Sequence, residues 1–326
     1  MTNLREITRQ IAKRTTQLGY DAWEWGEGVA WHGVAETAVK LGDAELMSAV
    51  VNWIHSHKDF QPSGVRHVMP GLAALTVHQA TGDKTALELA LRVAKMLETL
   101  PRSVHGVHEE SKQTPVWVDY WYEIAPFLTT LSKVTGEERY SEWAAEQSIA
   151  YLLSCWDAKH ALFHHAYYDL INQNSQWFWA RSNAWATLVM VEMLTDLKTE
   201  KGLAAILRNV LSKQAAKLAE LQNATGQWHT VLDQPETYLE PSASIMIALA
   251  FRRGAKRGFL DAKYSALADR AFQSCLEKVD EAGNLTEVSG ETWPGDLVHY
   301  SMVPVGVYSW GQGFMALAGL EWMDDK

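Results

Sequence analysis

Residues 27–57 read EGVAWHGVAETAVKLGDAELMSAVVNWIHSH and contain two helix patterns joined by a short turn. The first pattern, at about 27–41, is apolar on most of its sides, which is typical of a buried helix. The second, at about 43–57, is polar on one face, which is typical of a helix with a solvent side. Gly42 can end the first helix in a left-handed conformation, and Asp43 can cap the second. The stretch therefore predicts a helical hairpin.

The same hairpin recurs along the chain, which indicates a repeat architecture. Similar turns are TGDKTA around Gly82, TGEERY around Gly136 and LDAKY around Asp261. Buried helices are predicted at about 27–41, 66–81, 119–135, 180–197, 241–254 and 311–323. Half-exposed helices are predicted at about 3–18, 43–57, 83–99, 137–154, 200–221 and 262–279.

This alternation predicts an all-α fold, an (α/α)6 barrel of six helical hairpins, in which the buried helices form an inner ring. Because no convincing linker interrupts the pattern, we expect residues 1–326 to form a single domain. The clearest strand-like piece lies at 226–238 and predicts a small hairpin or an extended loop between helices.

Composition argues against several kinds of partner. The formal net charge of -10 makes nucleic acid and anionic membranes poor partners. No apolar stretch is long enough to span a bilayer, and the N-terminal residues lack the apolar core of a secretory signal. Cys155 and Cys275 are interpreted as small buried side chains, which predicts a cytoplasmic protein. The oligomeric state is not predicted.

Polar and aromatic residues gather at the starts of the predicted inner helices, whose N-terminal ends meet at one mouth of such a barrel. The clusters are DAWEWGEG (21–28), SGVRHVMPG (63–71), VHEESKQTPVWVDYWYE (107–123), FHHAYYD (163–169) with QWFWARSNAW (176–185), QWHTVLDQPETYLEPSAS (227–244) and VHYSMVPVGVYSWGQG (298–313). The 15 tryptophans add a weak indication of sugar binding, because an indole offers a flat apolar face and an N–H donor. We therefore expect a pocket at this mouth.

Asp119 is the candidate acid in these clusters. Trp117 and Trp121 flank it, and aromatic surroundings favour the neutral carboxyl that a general acid needs. The alternative is that Asp119 caps a helix starting near Tyr120, and on local sequence alone this is the commoner role of such an Asp.

Arg181, between Trp179 and Trp185, suits a carboxylate or a sugar hydroxyl, although pairing with a core carboxylate fits its sequence equally well. The twelve histidines show no metal-site spacing such as H-E-x-x-H. The chain also lacks a glycine-rich phosphate loop and a G-x-S-x-G motif. We therefore expect no metal and no cofactor.

Six motifs in order make the sequence similar to a known family. They are W-x-W-x-x-G at 23–28, M-P-G at 69–71, P-V-W-V-D at 115–119, W-A-R-S-N-A-W at 179–185, Y-L-E-P-S-A-S at 238–244 and Y-S-W-G-Q-G at 308–313. Over nearly its whole length the chain resembles the unsaturated rhamnogalacturonyl hydrolases of glycoside hydrolase family 105, and behind them the unsaturated glucuronyl hydrolases of family 88.

The resemblance implies a role for individual residues. Asp119 takes the place of the catalytic acid and base, and His108 and His165 of histidines that line the site. The resemblance implies that Trp179, Arg181 and Trp185 bind the sugar and that Trp25 or Trp23 offers a stacking platform. We also expect Arg66, His67, Trp117 and His229 to bind the substrate, and either Arg181 or Arg66 to orient its uronate carboxylate. Two departures from the family pattern suggest a different pocket wall. Arg66 and His67 stand where an Asn or Asp is common, and Ser182 and Ala184 replace glycines.

The implied reaction releases the terminal unsaturated (4,5-ene) uronic acid from pectin-derived, rhamnogalacturonan-type oligosaccharides. Asp119 protonates C4 of the C4=C5 vinyl ether, water adds at C5, and the resulting hemiketal opens. Ordinary glycosidases instead need two carboxylates.

Other interpretations remain open at this stage. One is an inverting glycosidase with Glu240 or Asp233 as its second carboxylate. Another is a sugar epimerase using His165 and His229, and a third is a non-catalytic sugar-binding protein. The choice between galacturonyl and glucuronyl ends is also open.

Overall fold

The computed structural model describes residues 4–196 and 201–323. Its helices are α1 (Leu4–Thr15), α2 (Trp25–Leu41), α3 (Ala44–Ser56), α4 (Met69–Thr81), α5 (Lys84–Leu97), α6 (Asp119–Thr135), α7 (Glu138–Cys155), α8 (Ala180–Asp196), α9 (Lys201–Leu221), α10 (Pro241–Lys256), α11 (Lys263–Leu276), α12 (Leu297–Ser301) and α13 (Ser309–Met323). The twelve longer ones match the predicted helices to within a few residues. The predicted helix ends at residues 3, 197 and 200 lie outside the described residues.

Six of these helices form a closed inner ring. Going around it, α2 contacts α4, α4 contacts α6, α6 contacts α8, α8 contacts α10, α10 contacts α13, and α13 returns to α2. The other long helices pack outside: α3 against α2, α5 against α4, α7 against α6, α9 against α8, α11 against α10, and α1 against α13 and α2. The prediction of an (α/α)6 barrel is confirmed.

The burial pattern explains which helices lie inside. In α4 every residue from Met69 to Val77 is buried, so this part of the helix has no solvent face. In α5 the buried residues include Leu89, Val93 and Leu97, which are four positions apart and lie on one side. A helix of the first kind must be surrounded by protein, whereas the second needs only one packed face.

The turns between paired helices follow their predicted chemistry. Gly42 ends α2 with a φ of 65°, in the left-handed region that glycine tolerates without strain. The Asp43 carboxylate accepts hydrogen bonds from the backbone N–H groups of Glu45 and Leu46 and so caps α3. Gly82 and Asp83 repeat this arrangement between α4 and α5.

Short strands join the segments that lead into the inner helices. Antiparallel strands β1 (Val116–Trp117), β4 (Ala166–Tyr168) and β5 (Gln173–Asn174) form one small sheet. Strand β2 (Trp156–Asp157) pairs with β3 (Leu162–Phe163), and β6 (Val288–Ser289) with β7 (Val305–Gly306). The sequence did not predict these pairings, because each strand is too short to show a periodic pattern.

The predicted strand-like piece at 226–238 is an extended loop held by isolated bridges. One bridge pairs His229 with Leu239, and another pairs Val231 with Trp179 at the start of α8. Cys155 and Cys275 are buried and are not joined in a disulfide. Within the described ranges, no helix combines the length and apolarity needed to cross a membrane.

The seam between α2 and α13 closes the ring and depends on two glycines. A Cβ added to Gly33 would lie 2.6 Å from the Gly313 carbonyl oxygen, and one added to Gly313 would collide with the Val29 carbonyl group. Since both obstacles are backbone atoms, a side chain at either position would push the two helices apart.

We expect Gly313→Ala to lower the free energy of unfolding by about 1–3 kcal/mol, through this overpacking. Urea unfolding followed by circular dichroism measures the change. Gly202→Ala is the matched control, because Gly202 lies in α9 with no atom near the added Cβ. It should raise stability by up to about 1 kcal/mol. Equal effects of the two substitutions would contradict this account of the seam.

Candidate active site

A cavity of about 300 Å³ opens where the inner helices begin. Its walls come from the starts of α2, α6 and α8, from the segment before α4, and from the loop that follows β6. The lining residues are Trp25, Arg66, Glu110, Thr114, Trp117, Asp119, Tyr120, Glu123, Trp179, Arg181, Glu291, Thr292 and Trp293. Residues distant in sequence therefore meet at one mouth of the barrel.

Asp119 is the first residue of α6 and faces this cavity. Its Oδ1 atom is buried and has no hydrogen-bond partner among the described residues. Burial raises the pKa of Asp119 to about 7, and the Ser182 hydroxyl and the Arg181 charge oppose that rise. Val118 occupies the N-cap position of α6, and no side chain of the described residues caps that helix. The alternative that Asp119 is a helix cap is therefore wrong.

Tryptophans form the walls around the carboxyl group. The ring of Trp117 meets the ring of Trp293 edge-on, with 4.8 Å between centroids. Trp25 also lines the cavity and stacks on Trp310, with 4.6 Å between ring centroids. Trp293 is 58% exposed, so its free face is open to a ligand that enters the mouth. Flat aromatic surfaces at a polar cavity suit the apolar faces of sugar rings.

Arg66 is the more accessible cation of the cavity. Its Nε donates a hydrogen bond of 2.5 Å to Glu24 Oε2, and its Nη2 lies 3.8 Å from Glu291 Oε1. Its backbone N–H donates to Glu110 Oε1 at 2.9 Å. The guanidinium is thus held in place by carboxylates and keeps part of its surface toward the cavity.

Arg181 is fully buried, and protein groups already use much of its guanidinium. Its Nη1 donates to the Ser289 carbonyl at 2.9 Å, and its Nη2 to the Gly290 carbonyl at 2.7 Å. Its Nε is buried without a hydrogen-bond partner among the described residues. The guanidinium carbon also lies 4.2 Å from the centre of the Trp179 ring. Arg181 therefore fixes the loop that carries Glu291 and Trp293, in addition to lining the cavity.

Two predicted histidines lie behind the wall. His165 is buried between the rings of Trp117 and Trp179, and its Nδ1 is 2.7 Å from the Tyr300 hydroxyl. Burial lowers the pKa of His165 well below its usual value, and the Arg181 charge adds to this. His108 accepts a hydrogen bond from Trp143, and burial lowers its pKa to about 4. Both rings are neutral at pH 7.

Of the residues predicted to contact the substrate, Trp25, Arg66, Trp117, Trp179 and Arg181 line the cavity together with Asp119. The others do not line it: Trp23, His67, His108, His165, Trp185 and His229. Trp23 stacks on Trp53, His67 lies 3.4 Å from Glu24, and Trp185 packs against Tyr122 and Phe314. His229 is held by Thr237 and Asn223. Substrate contact by any of these residues stays a prediction.

Sequence reasoning missed seven lining residues: Glu110, Thr114, Tyr120, Glu123, Glu291, Thr292 and Trp293. One was detectable, because Glu123 follows Asp119 by four positions and so lies on the same helix face. The segment Glu291–Trp293 carries no local signal, since only the packing of the chain brings it to the mouth. Over residues 4–196 and 201–323, no group of three His, Cys, Asp or Glu side chains is arranged to hold a metal ion.

Comparisons with known proteins agree with this architecture. The chain is 29% identical to the unsaturated rhamnogalacturonyl hydrolase YesR of Bacillus subtilis, over 94% of this chain and 91% of that protein. It is 26% identical to an unsaturated 3S-rhamnoglycuronyl hydrolase of Formosa agariphila, over 63% of this chain and 56% of that one.

Solved structures share the fold. A possible member of the GH105 family from Klebsiella pneumoniae superposes with a TM-score of 0.91 at 24% identity, covering 98% of this chain and 93% of that one. The family model for Glycosyl Hydrolase Family 88 matches residues 3–325, which is nearly the full sequence. On this match the chain belongs to Glycosyl Hydrolase Family 88.

Proposed function

We propose that the chain removes the terminal unsaturated (4,5-ene) uronic acid from pectin-derived, rhamnogalacturonan-type oligosaccharides, with Asp119 as the acid. The observation that carries the proposal is the half-buried Asp119 at an aromatic-walled cavity, whose carboxyl group has a fully buried Oδ1 atom and a pKa raised to about 7. Family membership supports the reaction class, and the similarity to the Bacillus subtilis enzyme supports the substrate class.

The first step is a proton transfer from Asp119 to C4 of the substrate. The C4=C5 bond is conjugated with the ring oxygen, so protonation at C4 leaves a positive charge shared by C5 and that oxygen. A general acid works best when its pKa lies near the operating pH, because it is then protonated in a large fraction of molecules and is still acidic enough to transfer the proton. The pKa of Asp119 meets this requirement at neutral pH.

The second step adds water at C5. Asp119 is now a carboxylate and takes a proton from that water, which restores the starting state. The product is a hemiketal at C5, which opens to a C5 ketone by breaking the bond between C5 and the ring oxygen. This leaves a hemiacetal at C1, which collapses to an aldehyde and releases the aglycone as an alcohol, without attack at C1. One carboxyl group therefore serves as acid and then as base. The Arg181 charge and the Ser182 hydroxyl, both of which favour the ionised form of Asp119, stabilise it between the two steps.

We assign the uronate carboxylate of the substrate to the side of the cavity that holds Arg66. This guanidinium lines the cavity and is partly exposed, whereas the Nη groups of Arg181 are bound to backbone carbonyls. The tryptophan faces of Trp25 and Trp293 suit the ring faces of the terminal sugar and of the sugar next to it.

The rival interpretations find less support in the geometry. Glu240 is buried at the start of α10, where it accepts hydrogen bonds from the backbone N–H groups of Ser242 and Ala243. Asp233 is exposed in the loop after α9. Neither lines the cavity, so neither supports an inverting glycosidase. An epimerase that uses His165 and His229 is unsupported for the same reason.

Three further expectations belong to this proposal. Residues 1–326 act as one catalytic domain, which the contact of α13 with both α1 and α2 supports. The buried, unpaired cysteines Cys155 and Cys275 support a reducing, cytoplasmic location. The reaction needs no cofactor, since proton transfer and water addition account for it.

Asp119→Asn should lower kcat by about 10²- to 10⁴-fold, because the amide cannot supply the proton. Binding of an unsaturated disaccharide, measured by calorimetry, should change only a few-fold. Turnover is followed by the loss of absorbance of the conjugated double bond. Asp233→Asn is the control and should be as active as the unchanged protein. An active Asp119→Asn variant would remove the acid from the mechanism.

The pH dependence of kcat/KM tests the protonation state of Asp119. Because the free enzyme must hold the proton, kcat/KM should be level below about pH 7 and fall by about tenfold per pH unit above it. Initial rates of double-bond loss from pH 5 to 9 give this profile. A kcat/KM that rises through pH 7 would indicate an ionised Asp119 and contradict the assignment.

A further inference from the structure

Glu123 is a second carboxyl group of the cavity that the proposed reaction does not use. It follows Asp119 by one turn of α6, which places it about 6 Å deeper along the helix axis and on the same face. Both residues line the cavity, and Glu123 is 1% exposed. A carboxyl group so deeply buried needs either a cation or a proton.

Glu123 forms no ion pair with any of the described residues. Arg66 is a positive charge that acts on it, but the ion pair that Arg66 forms is with Glu24, at 2.5 Å, and not with Glu123. Its other neighbours with charge are the carboxyls of Asp119, Glu110 and Glu24. Burial, and then the charges of Asp119 and Glu110, raise the pKa of Glu123 well above its usual value.

A protonated carboxyl carries an O–H donor that needs an acceptor. The Oε2 atom of Glu123 is buried and has no hydrogen-bond partner among the described residues. A buried donor without an acceptor destabilises a protein, and such groups are rare away from functional sites. Because Glu123 lines the cavity, an acceptor for the proton of its carboxyl group can come from the molecule that fills the cavity.

We propose that Glu123 is a neutral acid that donates a hydrogen bond to an oxygen of the terminal uronate from the deep end of the cavity. The inference rests on the proposed function for the identity of that sugar. Of the two carboxyl groups, Asp119 and Glu123, only Asp119 then changes its charge during the reaction.

A neutral Glu123 suits the negative charge of the substrate. Glu110 and Glu291 already line the cavity, and an anionic sugar would be repelled by a further carboxylate. An acid kept neutral by burial can donate a hydrogen bond without adding a negative charge. Glu123 therefore favours a substrate that places an acceptor oxygen one helical turn deeper in the cavity than Asp119.

Two substitutions separate a neutral donor from an ionised base. Glu123→Gln keeps a neutral donor of the same reach, whereas Glu123→Met keeps the length of the side chain and removes the donor. In the Asp119→Asn background, the Kd for an unsaturated rhamnogalacturonan disaccharide should change by less than about threefold for Gln. It should rise by about tenfold or more for Met, the loss expected for one hydrogen bond to a charged group.

A matched control tests whether any substitution of a buried carboxyl in the barrel weakens substrate binding. Glu192→Gln removes a carboxyl that pairs with Arg253 at 2.5 Å in a separate cavity, near the C-terminal ends of the inner helices. It should leave the Kd unchanged.

Two results at position 123 would contradict the proposal. Equal weakening of substrate binding by Gln and Met would mean that Glu123 acts as a carboxylate, and no weakening by either would mean that Glu123 has only a structural role. Both results overturn the proposal.

An infrared measurement tests the proton on Glu123 without any sugar. The difference spectrum between Asp119→Asn and the double variant with Glu123→Gln at pH 7.5 should contain the carbonyl stretch of one protonated carboxyl. Absence of that band overturns the inference. If the unchanged protein does not remove the double-bond absorbance of any unsaturated oligosaccharide, the proposed function is wrong. The infrared band still reports the protonation state of Glu123 in that case, so the two failures can be distinguished.

Discussion

The removal of water from the Asp119 carboxyl is the interaction on which the proposed chemistry depends. An aspartate at the first position of a helix is normally ionised, since the N-terminal end of the helix dipole favours negative charge. Here the Ser182 hydroxyl and the Arg181 charge favour ionisation as well, yet burial outweighs them and brings the pKa to about 7. The aromatic walls therefore decide the protonation state of the acid.

The barrel supplies those walls because its inner helices begin at the same mouth. Helix α6 brings three lining residues, α2 and α8 bring one each, and the others come from the segments between the helices. Strands β1 and β4 connect the segment before α6 to the segment before α8. Arg181 extends this scaffold by binding the carbonyls of Ser289 and Gly290. The loop that ends in Trp293 is thereby fixed over Trp117. The glycine seam between α2 and α13 matters to the site because it keeps the ring closed.

Much of this fold could be predicted from sequence, because burial on all sides or on one side leaves a local pattern in each helix. The turns at Gly42 and Gly82 were predictable because a glycine can end a helix in a left-handed conformation and the aspartate that follows can cap the next helix. The small strands and the position of Glu291 were not, since their partners lie far away in the chain. Local sequence favoured Asp119 as a helix cap, and only the packing around it shows otherwise. The predicted role of Arg181 as a sugar ligand did not anticipate its bonds to residues 289 and 290.

The most direct test of this account is the pKa of Asp119 itself. Aspartate labelled with ¹³C at the carboxyl carbon gives one resonance per residue, and the Asp119→Asn variant identifies the resonance of interest. Titration of the unliganded protein should show this carbon changing its shift with a midpoint near pH 7. A midpoint near the usual value for aspartate, about 3.9, would mean that the group is ionised at neutral pH and cannot be the acid.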